Sequence, residues 1–251
     1  MGAQEKADGH AAENSEILYS LLKKQFALDS VQSLGSSLTK TDILGVNTSG
    51  TTRFSLKFAS GKNTQVWLPT LRSMISHIPT LAKYQDELDQ WLGTTDSTLF
   101  EVRRLNKILS SQEIEKQRIY SDKIFNWDEI LNAFNDATKD KSLLKNMLLS
   151  KGDEPIVDYL IWVNKKQGGI QILDMPAFVD HIATNCVWQN PTKGFSTLWC
   201  MDTTTNKKIF HLQRKGSGGG PQALAPMFHL YCNWPATMPI YSDAAFRISL
   251  H

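Results

Sequence analysis

Within residues 40–65, Asp42, Ser55 and Lys57 place a carboxylate, a hydroxyl and an ammonium in a stretch that reads as two paired strands. Phe54, Leu56 and Phe58 alternate with Ser55 and Lys57, so the period-two geometry of a strand puts the apolar set on one face and Ser55 with Lys57 on the other. Residues 47–51, with Ser49-Gly50 inside them, carry the turn chemistry that folds the first strand back and brings Asp42 to the same site. A hard divalent cation such as Mg²⁺ takes oxygen ligands and keeps several waters. One carboxylate, Asp42, and one backbone carbonyl, that of Leu56, are therefore a minimal seat for it. Lys57 then lies beside a metal-bound water. In phosphodiester hydrolysis such a lysine orients the attacking water and offsets the charge developing on the phosphate, with the metal as Lewis acid. Ser55 brings no charge and offers only a hydroxyl. The competing explanation is an exposed hairpin whose salt bridge is worth under about 1 kcal/mol.

Other polar groups bear on this choice. The strand leaves through a glycine-containing segment, where Ser60, Lys62 and backbone amides suit contacts with phosphate. Gln213, Arg214 and Lys215 end a later strand just before a glycine loop. Gln and Arg make bidentate contacts with adenine and guanine edges in a major groove, and Lys reaches guanine or phosphate. These three belong to a local basic excess over residues 191–220, where Lys193, Lys207, Lys208, Arg214 and Lys215 stand against Asp202 alone. A solvated basic face explains the same charges. Glu13 extends a helical apolar stripe by one turn, either as an acid favoured by the helix start or as a carboxylate aimed at the site. His211 and His229 alternate with apolar residues as core or interface histidines, and Trp162, Trp199 and Trp234 read as core.

The elements that must position these groups follow from periodicity. Residues 1–8 read as disordered, and a helix starting near His10 carries the stripe Ile17, Leu18, Leu21, Leu22 and Phe26. Residues 30–39 form a Ser/Leu/Gly connector. After Pro69, Leu71, Met74, Ile75 and Ile78 predict a helix that breaks at Pro79. Leu81, Tyr84, Leu88, Trp91 and Leu92 predict another, which stops at Gly93. Residues 94–150 are mostly helical and carry no chemical motif. Within them 95–109 form one helix, and Asn126 caps a run with Ile130, Leu131, Phe134, Leu143, Leu144, Met147 and Leu148 at helical spacing. Strands are expected at 158–164, 170–173, 197–201, 208–213 and 227–233, with a turn at Gly168-Gly169 and a short helix over 175–183. Asp153-Glu154 before Pro155 reads as a loop. The expected fold is α/β, a mixed sheet flanked by helices, in one domain spanning 1–251 with 94–150 as a helical insertion.

The 251 residues suffice for a sizeable core, and 41% hydrophobic with 21% charged residues is ordinary globular composition. There is no apolar run long enough for a membrane span, and the polar N-terminus is unlike a signal peptide, which predicts an intracellular, cytoplasmic protein. Cys186, Cys200 and Cys232 lack zinc-ligand spacing and are odd in number, which predicts buried thiols. The net charge of +2 does not by itself announce a nucleic-acid binder. No P-loop or Rossmann glycine pattern is present.

The segments Lys40-Thr-Asp42 and Ser55-Leu-Lys57-Phe-Ala-Ser-Gly resemble the active-site hairpin of the PD-(D/E)XK nucleases. Within that superfamily the chain is most similar to the small type II restriction endonucleases that cut four-base sites, of the HinP and MspI type. The resemblance takes in the Glu13 helix, the stretch ending at Trp91-Leu92-Gly93, residues 148–164, and Gln213-Arg-Lys-Gly216 followed by Met227-Phe-His-Leu230. It implies a restriction-endonuclease-like sheet, Mg²⁺ as cofactor, double-stranded DNA as partner, no membrane, and cleavage that leaves a 5′ phosphate. Asp42 is then the metal-binding aspartate and Lys57 the catalytic lysine. Ser55 stands where the general pattern has Asp or Glu, a place where members of the small type carry an amide. Gln213, Arg214 and Lys215 read bases or hold the backbone. A palindrome can be cut by a homodimer or by sequential nicking by a monomer. A non-cleaving nucleic-acid-binding module and a repair or transposition nuclease of the same fold are the alternatives.

Overall fold

The computed structural model describes residues 16–34, 40–59, 63–67, 79–85, 127–149, 154–164, 169–190, 197–213, 227–231 and 240–241. In chain order these form α1 (Glu16–Phe26), β1 (Ser30–Ser33), β2 (Ile43–Asn47), β3 (Gly50–Ala59), β4 (Asn63–Trp67), α2 (Pro79–Ala82), α3 (Trp127–Lys139) and α4 (Ser142–Leu144). A π-helical turn at Lys145–Leu149 follows, then β5 (Tyr159–Asn164), β6 (Gly169–Asp174), α5 (Met175–Asn185), β7 (Cys186–Gln189), β8 (Thr197–Asp202), β9 (Lys207–Gln213), β10 (Met227–Tyr231) and β11 (Ile240–Tyr241). The chain divides into two compact units. One is made of Met1–Thr64, Lys145–His181 and Trp234–His251, the other of Gln65–Leu144 and Ile182–Asn233.

In the first unit Leu18 and Leu22, one turn apart on α1, are fully buried. Leu21 and Phe26 flank them half-buried, whereas Ile17, about 100° round the helix from Leu18, is exposed; the expected stripe is narrower by that residue. The helix ends in a Schellman motif: Ala27 takes φ 49°, and the Leu28 amide donates to the Lys23 carbonyl at 3.0 Å. Leu28 then turns inward over Gly45, where a Cβ would overlap its Cδ1. Leu18, Leu22 and Leu28 join Ile43, Phe54, Leu56, Ile161, Val163, Ile170 and Ile172 in one core. Phe26 seals its edge, 5.2 Å from the Phe54 ring and 4.6 Å from Tyr159 between centroids.

That core lies on a six-stranded mixed sheet in the order β1-β2-β3-β5-β6-β11. β1, β2 and β3 form an antiparallel meander, β5 runs parallel to β3, and β6 returns antiparallel to β5. Asp158 aligns the parallel pair: its Oδ2 accepts from the Arg53 amide at 2.7 Å, and its own amide donates to the Arg53 carbonyl at 2.9 Å. The hairpin turn is as expected. Asn47 Oδ1 accepts from the Ser49 amide at 2.9 Å, and Gly50 adopts φ 141°, a conformation open to glycine. β1 is a correction, since Ser30–Ser33 lies in the stretch read as a connector. Its four residues hold one apolar side chain, so pairing with β2 decides its state and propensity does not.

The second unit holds a separate five-stranded sheet, β4-β10-β9-β8-β7. The late strands therefore pair with one another and not with the hairpin. Asp202, fully buried, closes the β8–β9 turn: its Oδ1 accepts from the Thr204 amide at 2.8 Å and the Thr205 amide at 3.1 Å. β7, unrecognised in the sequence, is an edge strand satisfied by a side chain. Asn135 of α3 accepts from the Trp188 amide at 2.6 Å and donates to its carbonyl at 3.3 Å, as a neighbouring strand would. The Trp188 indole donates to Thr138 Oγ1 at 2.8 Å. Ile130, Phe134, Leu143 and Leu144 are buried as their spacing predicts, as is Leu148 in the first unit, whereas Leu131 is half-buried. Trp162 is buried too, whereas Trp199 is half-buried beneath the Lys208 ammonium, 4.3 Å from its ring centroid. His211 is buried, and the β9–β10 register pairs it with His229.

Of the helix expected from Leu81 to Leu92, only Pro79–Ala82 is helical before a turn at 83–84, and residues 86–93 lie outside the described residues. The expected helices over 71–78 and 95–109, the start of α1 near His10, residues 1–8, the Asn126 cap, the Gly168 turn residue, Cys232 and Trp234 lie outside them too. Among the described residues no helix is long and apolar enough to cross a membrane.

Two stability effects follow. Ala27 holds a left-handed conformation that costs a residue with a Cβ about 1 kcal/mol or more, so Ala27→Gly should stabilise the protein by about that amount in urea unfolding. Cys186 and Cys200 are buried free thiols in contact, and burial pushes the Cys200 thiol well above its ordinary value of 9.0. The unfolded chain then loses this proton first as pH rises, so the thiol's contribution is present below 9.0 and declines above it. The urea midpoint should fall from about pH 8 to about pH 10, and fall less in Cys200→Ala.

Candidate active site

The site forms where β3 outruns β2. Ile43, the first residue of β2, pairs with Phe54, whereas β3 continues to Ala59. Backbone groups of alternate strand residues point to opposite neighbours. Arg53 bonds Asp158 on the β5 side, and Phe54 accepts from the Asp42 amide at 2.9 Å on the β2 side. Leu56 therefore turns its amide and carbonyl toward the space that β2 does not reach. Buried backbone groups need partners, and two side chains supply them. The Leu56 amide donates to Asp42 Oδ2 at 2.5 Å, and the Lys57 ammonium donates to the Leu56 carbonyl at 3.2 Å.

Asp42 is fixed from several directions. Its carbonyl accepts from the Leu34 amide at 2.9 Å, which places it between the end of β1 and β3. Just before it, the Lys40 amide donates to Glu154 Oε1 at 2.7 Å, so the loop read at Asp153-Glu154 anchors the entry to the hairpin. Its Oδ2 also accepts from Ser55 Oγ at 3.1 Å and lies 3.6 Å from Lys57 Nζ. Ser55 is buried at 3% exposure, while the side chains of Asp42 and Lys57 keep 17% and 21%. Among the described residues every contact of the carboxylate falls on Oδ2, which leaves Oδ1 open to a ligand.

The residues expected at the hairpin are thus brought together: Asp42, Ser55, the Leu56 carbonyl and Lys57 converge. Ser55 acts on Asp42 and orients it. The signal for that role was the strand register, in which Asp42 falls opposite Ser55 one step beyond the Ile43–Phe54 pair. Glu154, read only as part of a loop, and Asp158, read only as the start of a strand, hold the two ends of the arrangement by their carboxylates, a role hidden because they act on backbone amides far away in sequence.

A hard cation suits this donor set. The Lys57 ammonium already approaches both the carbonyl and the carboxylate, so two oxygens converge on one positive charge. Asp42 and the Leu56 carbonyl are the groups that would hold Mg²⁺, with water completing its shell. Among the described residues no group of three or more His, Cys, Asp or Glu side chains gathers to bind a metal. Glu13, the candidate further carboxylate, lies outside the described residues, as do Ser60, Lys62, Arg214 and Lys215. Gln213 ends β9 opposite Thr197 and Met227, and its side chain is not among those described.

The second unit contains a polar hollow of about 400 Å³ beside α2 and α3, lined by Thr80, Lys83, Tyr84, Glu129 and their neighbours. The Tyr84 hydroxyl donates to Glu129 Oε2 at 2.9 Å, and its contact with Lys83 holds that ammonium above its usual range. No family model matches this sequence, and no curated protein aligns with it.

Proposed function

We propose that the protein is a Mg²⁺-dependent endonuclease that hydrolyses phosphodiester bonds of double-stranded DNA at a short site, most similar to type II restriction enzymes of the PD-(D/E)XK superfamily. The observation that carries this reading is the convergence of Lys57 Nζ on the Leu56 carbonyl at 3.2 Å and on Asp42 Oδ2 at 3.6 Å. A carboxylate, a carbonyl and an ammonium within one hydrogen-bonded group are what metal-assisted attack by water on a phosphodiester needs. The order of elements also supports it. A helix, a three-stranded antiparallel meander and a later strand parallel to the third give the mixed sheet flanked by helices on which this reading relies.

Each group then has a distinct task. Asp42 and the Leu56 carbonyl would hold Mg²⁺, which when bound would supply Lewis-acid stabilisation of the phosphate and lower the pKa of its water. Lys57 orients the attacking water and offsets negative charge on the phosphoryl oxygens. Ser55 holds Asp42 in its rotamer. The reading gives base recognition to Gln213, the last residue of β9, and to Arg214 and Lys215, which follow it in the sequence, with cleavage at a four-base site leaving a 5′ phosphate.

One observation favours a second reading, a DNA-binding module without cleavage. Ser55 takes the place of an acidic residue, so Asp42 stands as the single carboxylate on the seat among the described residues. Variants separate the two. Lys57→Ala and Asp42→Ala should each lower Mg²⁺-dependent cleavage of duplex DNA by about a hundredfold or more, with folded circular-dichroism spectra. A fully active Lys57→Ala protein would sink the nuclease reading. Salt-sensitive DNA binding by the wild-type chain without nicking at any metal concentration would establish the second. Ser55→Ala should keep the fold and lose part of the rate through a misplaced Asp42, whereas Ser55→Glu should retain or strengthen metal binding.

A further inference from the structure

We propose that the Lys57 ammonium is the resident cation of the metal seat, so that a divalent ion and this side chain compete for the Leu56 carbonyl and for the charge of the Asp42 carboxylate. The inference rests on the nuclease reading only in taking Asp42 and the Leu56 carbonyl as the metal's ligands.

Lys57 does not reach across to a distant partner. Its Nζ folds back onto the carbonyl of the preceding residue, Leu56, at 3.2 Å and stands 3.6 Å from Asp42 Oδ2. Among the described residues these are its only polar contacts. The carbonyl belongs to the part of β3 that has no β2 partner, so the ammonium satisfies an acceptor that the sheet leaves open. It also balances the charge of a carboxylate whose side chain is only 17% exposed. A divalent ion at the same carbonyl and carboxylate would do both things, and would meet a like charge at hydrogen-bond distance from its ligand. One carboxylate cannot neutralise both cations. Metal entry therefore requires the ammonium to leave the Leu56 carbonyl, and the affinity of the metal is lowered by the free energy of that displacement. Once displaced, the same ammonium is free to meet phosphate and water. Lys57 thus competes with the metal for the seat and serves the phosphate once displaced.

The test uses the full chain without DNA. Mn²⁺ is titrated into wild type, Lys57→Met and Lys57→Gln, with the free ion read by electron paramagnetic resonance, and thermal melting is followed with and without saturating Mn²⁺. Lys57→Met keeps the length of the chain and removes the charge; Lys57→Gln repeats the measurement if the methionine variant does not fold. Competition predicts Mn²⁺ binding at least tenfold tighter in the variants, a difference of about 1.4 kcal/mol. It also predicts a lower melting temperature than wild type without metal, and a larger rise on adding Mn²⁺. Asp42→Asn should abolish the difference. Equal or weaker binding in both variants, or no binding in any protein, overturns the inference. The nuclease reading is judged separately by cleavage, so unchanged Mn²⁺ affinity with active wild type sinks only the competition. Tighter binding with a wild type that never cuts sinks only the nuclease.

Discussion

The hydrogen bond from the Leu56 amide to Asp42 Oδ2 is the contact on which the rest of the arrangement depends. It exists because β3 is longer than its neighbour. A ladder that ended with both strands flush would have spent the Leu56 amide and carbonyl on β2. As it is, a carboxylate takes the amide and an ammonium takes the carbonyl, so two opposite charges are drawn to one point by backbone demand. Hydrogen bonds to charged groups are stronger than those between neutral ones. The proposed chemistry follows from an unfinished edge.

The scaffold serves that edge at each end. Glu154 fixes the chain just before Asp42 through the Lys40 amide, and Asp158 fixes β3 against β5 through the Arg53 amide. Both are carboxylates on the segment that leads into β5, so the return of the chain beside β3 also holds the hairpin in register. Behind the sheet, Leu18, Leu22 and Phe26 of α1 cover Phe54 and Leu56. Burial of these side chains, each worth about 1.5–3 kcal/mol, outweighs the cost of burying the hydroxyl of Ser55, which has a partner in Asp42.

Much of this was legible in the residues themselves. The alternation Phe54-Ser55-Leu56-Lys57 gave the faces of β3, and the apolar runs gave β5, β6, β8, β9 and β10. Strands with weak patterns escaped. Ser30–Ser33 and Cys186–Gln189 are short edge strands whose state depends on partners elsewhere in the chain, β2 in one case and both β8 and Asn135 in the other. The separation into two sheets was equally hidden, because periodicity identifies a strand and says nothing about which strand it joins. At the site, residue types pointed to Asp42 and Lys57, while the backbone contacts that orient them, and the part played by Ser55, required the register.

We propose that this unfinished edge hydrolyses DNA at a defined sequence. Incubation of a sequenced plasmid with the purified chain and Mg²⁺, followed by mapping of the ends, tests activity and specificity together. Discrete fragments that share a short sequence at every cut and carry 5′ phosphates are the predicted result. An intact plasmid across the whole range of Mg²⁺ concentrations contradicts the account, and cuts without a common sequence contradict its site-specific part.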